Sequence, residues 1–255
     1  MPFSRAALLV AWGTAYLQGR ASLDEADVHT VGEDALHRVV GLPGHDEPVA
    51  WSVALGLLRR DGATALRLVL PEPGDPLGLP GPAALTEAAT AAGEVALVLG
   101  GPPLGLVPTV SADTHGAVVR WDALAAAPTV GTGGLPSLAE AERELSERMR
   151  EGIATLEALG LARGRDDVSD RLRVVDHGLR RLILPTTVPP RALRLVEQAT
   201  RLAAVVTIAR EDDGAAVTAA EAATREAALR PLSQAARYAL CAGYGAAAEP
   251  DPDDR

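Results

Sequence analysis

Lysine and asparagine are absent from the 255 residues, so all 24 basic side chains are arginine. Without lysine there is no Schiff-base nucleophile, no anchor for pyridoxal phosphate and no phosphate-loop lysine. An excess of Ala, Gly, Leu, Arg and Pro accompanies these gaps, as a GC-rich coding sequence produces. Cysteine occurs once, as Cys241, which excludes a disulfide framework and a thiolate metal cluster and fits a reducing compartment, the cytoplasm. Aromatic residues make up 3% of the chain, so Trp12, Trp51 and Trp121 are expected in the core rather than on a stacking surface. No run is both long and helical enough to span a bilayer. Arg5–Leu17 is apolar but continues into Gln18 and Arg20 without a cleavage pattern, and it reads as an amphipathic helix rather than a signal peptide. Val95–Val110 is broken by Gly100, Gly101, Pro102, Pro103, Gly105 and Pro108. No membrane contact is expected.

With 47% hydrophobic and 23% charged residues, the chain holds enough apolar surface for one large core or two small ones. Its net charge of −10 is unevenly spread: Arg163–Arg210 carries ten arginines against five acids. Such a segment could meet nucleic acid. The favoured reading is pairing with the acidic remainder, because few aromatics accompany the arginines.

Apolar runs ending in Leu-Pro or Val-Pro predict strands at Arg38–Pro43, Leu66–Pro71, Gly105–Pro108 and Arg180–Pro185, with proline ending each ladder. Their continuous apolar character predicts strands covered on both faces. Helices are expected over Pro48–Arg60, apolar nearly all round; over Pro82–Gly93; and over Ser137–Gly160, with Ser137 and Glu140 as a capping box. Further capping boxes begin at Ser22 and Thr218, and Pro231 is expected to divide the last helical region. Leu66–Leu99 and Arg180–Ala209 both read as strand, Pro-containing loop, helix and strand, two βαβ candidates; duplication and chance matching of Ala-rich sequence both account for this. Turns at Asp113–Gly116 and Asp212–Gly214 predict hairpins. The expected fold is α/β, a mixed and partly parallel sheet with helices on both faces. Its lobes are 1–130 and 137–248, joined by a Gly/Pro linker at 131–136 and followed by an acidic tail at 249–255.

The segment Arg67–Pro82 leaves a strand through a rigid Gly/Pro loop and enters a helix, where open α/β sheets bind ligands. There Arg67 and Arg181 could face an anion, Glu72 and Asp75 act as acid and base or hold a cation, and Gly74 and Gly78 shape the turn. The competing reading is a surface connection with solvated acids. The five histidines contain no pair at metal-ligand spacing, no serine sits in a nucleophile elbow, and Gly131–Gly134 lacks dinucleotide-fingerprint spacing. No cofactor or metal is expected.

His37–Gly44, Arg67–Asp75 with Gly78–Pro82, Gly105–Pro108, Val119–Trp121 and Leu138–Leu145 together resemble an uncharacterised family of hypothetical proteins from high-GC, actinobacterial-type bacteria. The resemblance covers most of the chain and implies no activity, substrate or catalytic residue. The leading functional expectation is a cytoplasmic, non-enzymatic binding or regulatory protein with a protein partner or a small anionic ligand. The alternative is an enzyme or binder acting on a small anionic metabolite at the 67–82 loop. Nucleic-acid contact through 163–210 is the weakest reading.

Overall fold

The structure, a computed structural model, describes residues 4–114, 116–128, 137–158, 166–211 and 219–246. Six strands form one open sheet: β1 (Leu36–Val40), β2 (Val49–Ala50), β3 (Ala65–Val69), β4 (Val95–Leu99), β5 (Leu104–Asp113) and β6 (Gly116–Ala125). Their order is β2-β1-β6-β5-β4-β3. The pair β1 and β6 is parallel, and every other neighbouring pair is antiparallel, so the sheet is mixed and the α/β class holds. The β5–β6 hairpin sets Asp113 opposite Gly116, at the turn the sequence predicts; His115 lies outside the described residues.

Two strand expectations need correction. Pro108 lies inside β5, opposite Trp121, and does not end it. The pairing of β5 with β4 stops at Leu106, so Pro108 falls where one side of the strand has no partner for the missing N–H. The Leu66–Leu99 segment does form strand, helix and strand, but β3 and β4 are antiparallel, with Val69 opposite Val95. No parallel crossover exists there, because the long 70–82 loop carries the chain away and α4 (Ala83–Ala92) returns it beside the strand end it left.

Helices cover both faces of the sheet. Consecutive strand residues point to opposite sides. Leu66 of β3 packs on Gly13 of α1 (Arg5–Leu17), where an added Cβ would lie 2.7 Å from Leu66 Cδ1. Trp51 and Leu55 of α3 (Trp51–Arg60) approach the same glycine. On the other face Gly105 makes room for Leu85 of α4, as a Cβ there would lie 2.6 Å from Leu85 Cδ1.

The expected characters of α1 and α3 are exchanged. Far from being amphipathic, α1 buries Ala6, Ala7, Leu9, Val10, Ala11, Trp12, Gly13, Thr14, Ala15 and Leu17. It sits between the sheet, α2 (Leu23–Val31) and the second half of the chain. Thr14 Oγ1 accepts from Leu66 N at 3.0 Å and donates to Leu66 O at 3.3 Å, satisfying backbone groups on the outer edge of β3. Conversely, α3 buries Trp51, Ala54, Leu55 and Leu58 while leaving Val53 half exposed, an amphipathic pattern.

The described part of the second half is helical: α5 (Leu138–Ala158), α6 (Asp166–Arg181), α7 (Pro190–Glu211) and α8 (Ala219–Gly245). The strand expected at Leu182–Leu184 is a connection between helices, and the one expected near Val205 lies inside α7, so this region holds no βαβ unit and no duplicate of the first half. Leu182 and Leu184 instead pack against the main core, and Ile183 O accepts from Trp12 Nε1 at 3.1 Å. The Asp212–Gly214 turn and the Thr218 cap lie outside the described residues. Pro231 does not divide α8; it is solvent-exposed between buried Leu229 and Leu232, whose packing holds the helix through it. The capping boxes at Ser22 and Ser137 are both formed.

One core spans the halves. Val196, Cys241 and Tyr244 belong to the same buried cluster as the sheet residues, while α5, α7 and α8 share a second cluster around Leu145, Leu202 and Leu232.

Candidate ligand site

The 67–82 loop turns its acids onto the second half. Glu72 and Asp75 exchange backbone hydrogen bonds of 3.0 and 2.9 Å across Pro73 and Gly74, with Gly74 at φ 83° and Gly78 at φ 68° supplying the left-handed turns. Arg237 of α8 donates to Leu70 O at 2.8 Å and to Asp75 Oδ2 at 2.6 Å. Ser233 Oγ and Arg210 Nη1 donate to Glu72 Oε1 at 2.9 and 3.2 Å, and Arg210 also binds Glu226. Burial works to raise the Glu72 pKa, but Arg210, Arg237 and Ser233 outweigh it and hold the carboxyl below its ordinary range. Arg67 is buried in β3 near Cys241, and burial lowers its pKa. Arg181 is exposed at the end of α6 and meets Glu33 at 3.3 Å. The loop residues and Arg181 are thus not brought to one concave surface.

A second polar cluster has the composition of an acid–base site. Asp34 accepts from Arg5 Nε and Nη2 at 2.7 and 2.9 Å and lies 3.0 Å from His37 Nε2. Trp121 Nε1 donates to His37 Nδ1 at 3.3 Å. An indole nitrogen only donates, so Nδ1 is the acceptor, Nε2 carries the proton, and His37 is neutral. Burial, above all, lowers the His37 pKa, in line with that tautomer. Both ring nitrogens are therefore occupied. For Asp34, burial opposes ionisation, but Arg5 and His37 prevail and lower its pKa. Elsewhere, Glu94 accepts from Ser4 Oγ and from Ala6 N at the start of α1, while burial raises its pKa. The Cys241 thiol is pushed up to about 12 by burial, which makes it inert. Among the described residues, no group of three or more His, Cys, Asp or Glu is placed to hold a metal ion.

The cavity with the most distinctive lining is a cleft of about 440 Å³ at the seam of the two halves. Leu68 of β3, Leu70 just beyond that strand and Ala7 of α1 line one side, while Val174 and Val175 of α6, residues of α7, and Leu240 and Tyr244 of α8 line the others. The helical pattern of α7 places Thr200, Ala203, Ala204 and Thr207 on this one face. Its hydroxyls are mostly engaged: Thr200 donates to Val196 O at 2.7 Å and Thr207 to Ala203 O at 2.9 Å. Tyr244 is only 2% exposed, and its hydroxyl has no hydrogen-bond partner among the described residues. At the rim, Arg171 is paired with Glu211. A second hollow of about 450 Å³, between α2 and α6, is rimmed by the exposed Val28, Val174 and Ile183 and includes Arg181. None of the cleft residues was singled out from sequence; an apolar lining drawn from five elements has the same pattern as a core.

No helix among the described residues is long and apolar enough to cross a membrane. Neither the curated proteins nor the solved structures give a match. Two family models do: the N-terminal domain of Rv1486c-like proteins over residues 6–132 and the C-terminal domain of the same proteins over residues 139–241. These domains correspond to the sheet-containing half and the helical half, and the cleft lies between them. The chain therefore belongs to the family of Rv1486c-like proteins.

Proposed function

We propose that this chain is a non-enzymatic binding protein that holds a small, largely apolar molecule in the cleft between its two halves. The observation that carries the reading is the cleft itself: about 440 Å³, within the size range of small-molecule sites, predominantly apolar, and built jointly by two domains. Binding is favoured over catalysis by the state of the reactive groups. His37 has both nitrogens engaged, Cys241 is held as a thiol, and Glu72 and Asp75 are occupied by Arg210 and Arg237. That occupation also weighs against an anionic metabolite at the 67–82 loop. Pairing of Arg171, Arg191, Arg201 and Arg210 with acids of the chain weighs likewise against nucleic acid. A cytoplasmic setting fits the single, reduced cysteine.

The test is a fluorescence titration with N-phenyl-1-naphthylamine, a neutral apolar probe. Saturable one-site binding is expected, and Ala204→Trp, which fills the cleft from α7, should weaken it by about tenfold or more, equivalent to about 1.4 kcal/mol. Absence of saturable binding, or undiminished binding in a folded Ala204→Trp variant, would overturn the proposal.

A further inference from the structure

We infer that the occupant of the cleft is a neutral carbonyl compound, an apolar body bearing one ketone, ester or amide oxygen that accepts a hydrogen bond from the Tyr244 hydroxyl. The inference rests on the cleft being a binding site and names what that site selects. Thr200, Thr207 and Ser4 already donate their hydroxyl protons to Val196 O, Ala203 O and Glu94. Tyr244 lines the same cleft, is 2% exposed, and has no such acceptor among the described residues. The hydroxyl oxygen is not among the fully enclosed polar atoms that lack a partner, so it reaches the open cleft, where an apolar ligand covering it leaves it unpaired and a ligand oxygen takes its hydrogen bond in place of water. Burial raises the Tyr244 pKa, so the group stays a phenol and donates. A carboxylate is a poor fit, since a desolvated anion needs several donors or a cation, while Arg171 at the rim is paired with Glu211.

Three probes of one shape and different polarity test this: 2-acetonaphthone, its alkene counterpart 2-isopropenylnaphthalene, and 2-naphthoate, each titrated by calorimetry or by displacement of the fluorescent probe. The ketone should bind about three- to tenfold more tightly than the alkene, the range expected of one net hydrogen bond, and naphthoate most weakly. In Tyr244→Phe the ketone's advantage over the alkene should vanish. The wild-type ketone–alkene comparison is independent of how the variant folds. Equal affinity for ketone and alkene, or tightest binding of naphthoate, overturns the inference and leaves the cleft as a binding site. No binding of any probe overturns both.

Discussion

Neutral His37 ties the chain's stability to pH. Its folded pKa lies below the ordinary value of 6.5 because burial disfavours the imidazolium. Between those values the unfolded chain takes up a proton that the folded chain refuses. His37 therefore contributes its full stability above about pH 6.5, and that contribution is lost as the pH falls toward the folded pKa. Asp34 and Glu72, with lowered values, act in the same direction in the more acidic carboxylate range. Glu94, with a raised value, acts oppositely and loses stability as the pH rises through its folded pKa. The difference between wild type and His37→Gln isolates the histidine. From about pH 7.5 to about 5.5, the wild-type melting temperature should fall relative to that of the variant; parallel profiles would refute this linkage. At Cys241 the expected outcome is kinetic: the native thiol should resist alkylation by iodoacetamide and react once the chain is unfolded, because thiolate is scarce and access is blocked.

The helix α1 shows how close packing fixes an element. Gly13 gives Leu66 room that a methyl group would take, so Gly13→Ala should lower stability by about 1–3 kcal/mol in urea denaturation, despite the better helix propensity of alanine. A stabilising outcome would show that Leu66 yields easily. The same helix marks the limit of what its sequence makes legible. Ser22 with Glu25 and Ser137 with Glu140 announce helix starts because a cap is a local hydrogen-bond pattern. The strands around Val39, Leu68, Leu97 and Leu106 are equally local in their apolar runs. By contrast, Leu182–Leu184 shares the strand composition but lacks a strand to pair with, and pairing is not encoded in three residues. Ala203–Val205 has the same ambiguity: the surrounding period of Leu195, Ala199, Leu202 and Val206 is helical, and it prevails. The cleft is hidden for a related reason, since Leu68, Ala204 and Tyr244 meet only through tertiary packing.

Across the whole molecule the 70–82 loop joins the halves through arginines. Arg237 has a buried side chain that donates to Leu70 O and Asp75 Oδ2 and lies 3.5 Å from Glu72, so truncation removes the arginine from that carbonyl and from Asp75, which keeps Gln234, while Glu72 keeps Arg210 and Ser233. Arg237→Ala should reduce stability by about 1.5–3 kcal/mol, measured by urea denaturation. All three tryptophans lie in the sheet-containing half, whereas α5–α8 supply much of the helical signal. In the wild type, tryptophan fluorescence and far-ultraviolet circular dichroism should therefore report one coincident transition. A loss below about 1 kcal/mol in Arg237→Ala, or separate transitions in the wild type, would mean that the clamp does not couple the halves.

The two borders of the sheet bear on behaviour in concentrated solution. At one border β2 is two residues long, and at the other Thr14 occupies both the donor and the acceptor of Leu66. A foreign strand seeking to extend the ladder finds a short template at the first and a side chain already seated at the second. The fold thus carries its own guard against edge-to-edge polymerisation, and in β3 that guard is a single hydroxyl group.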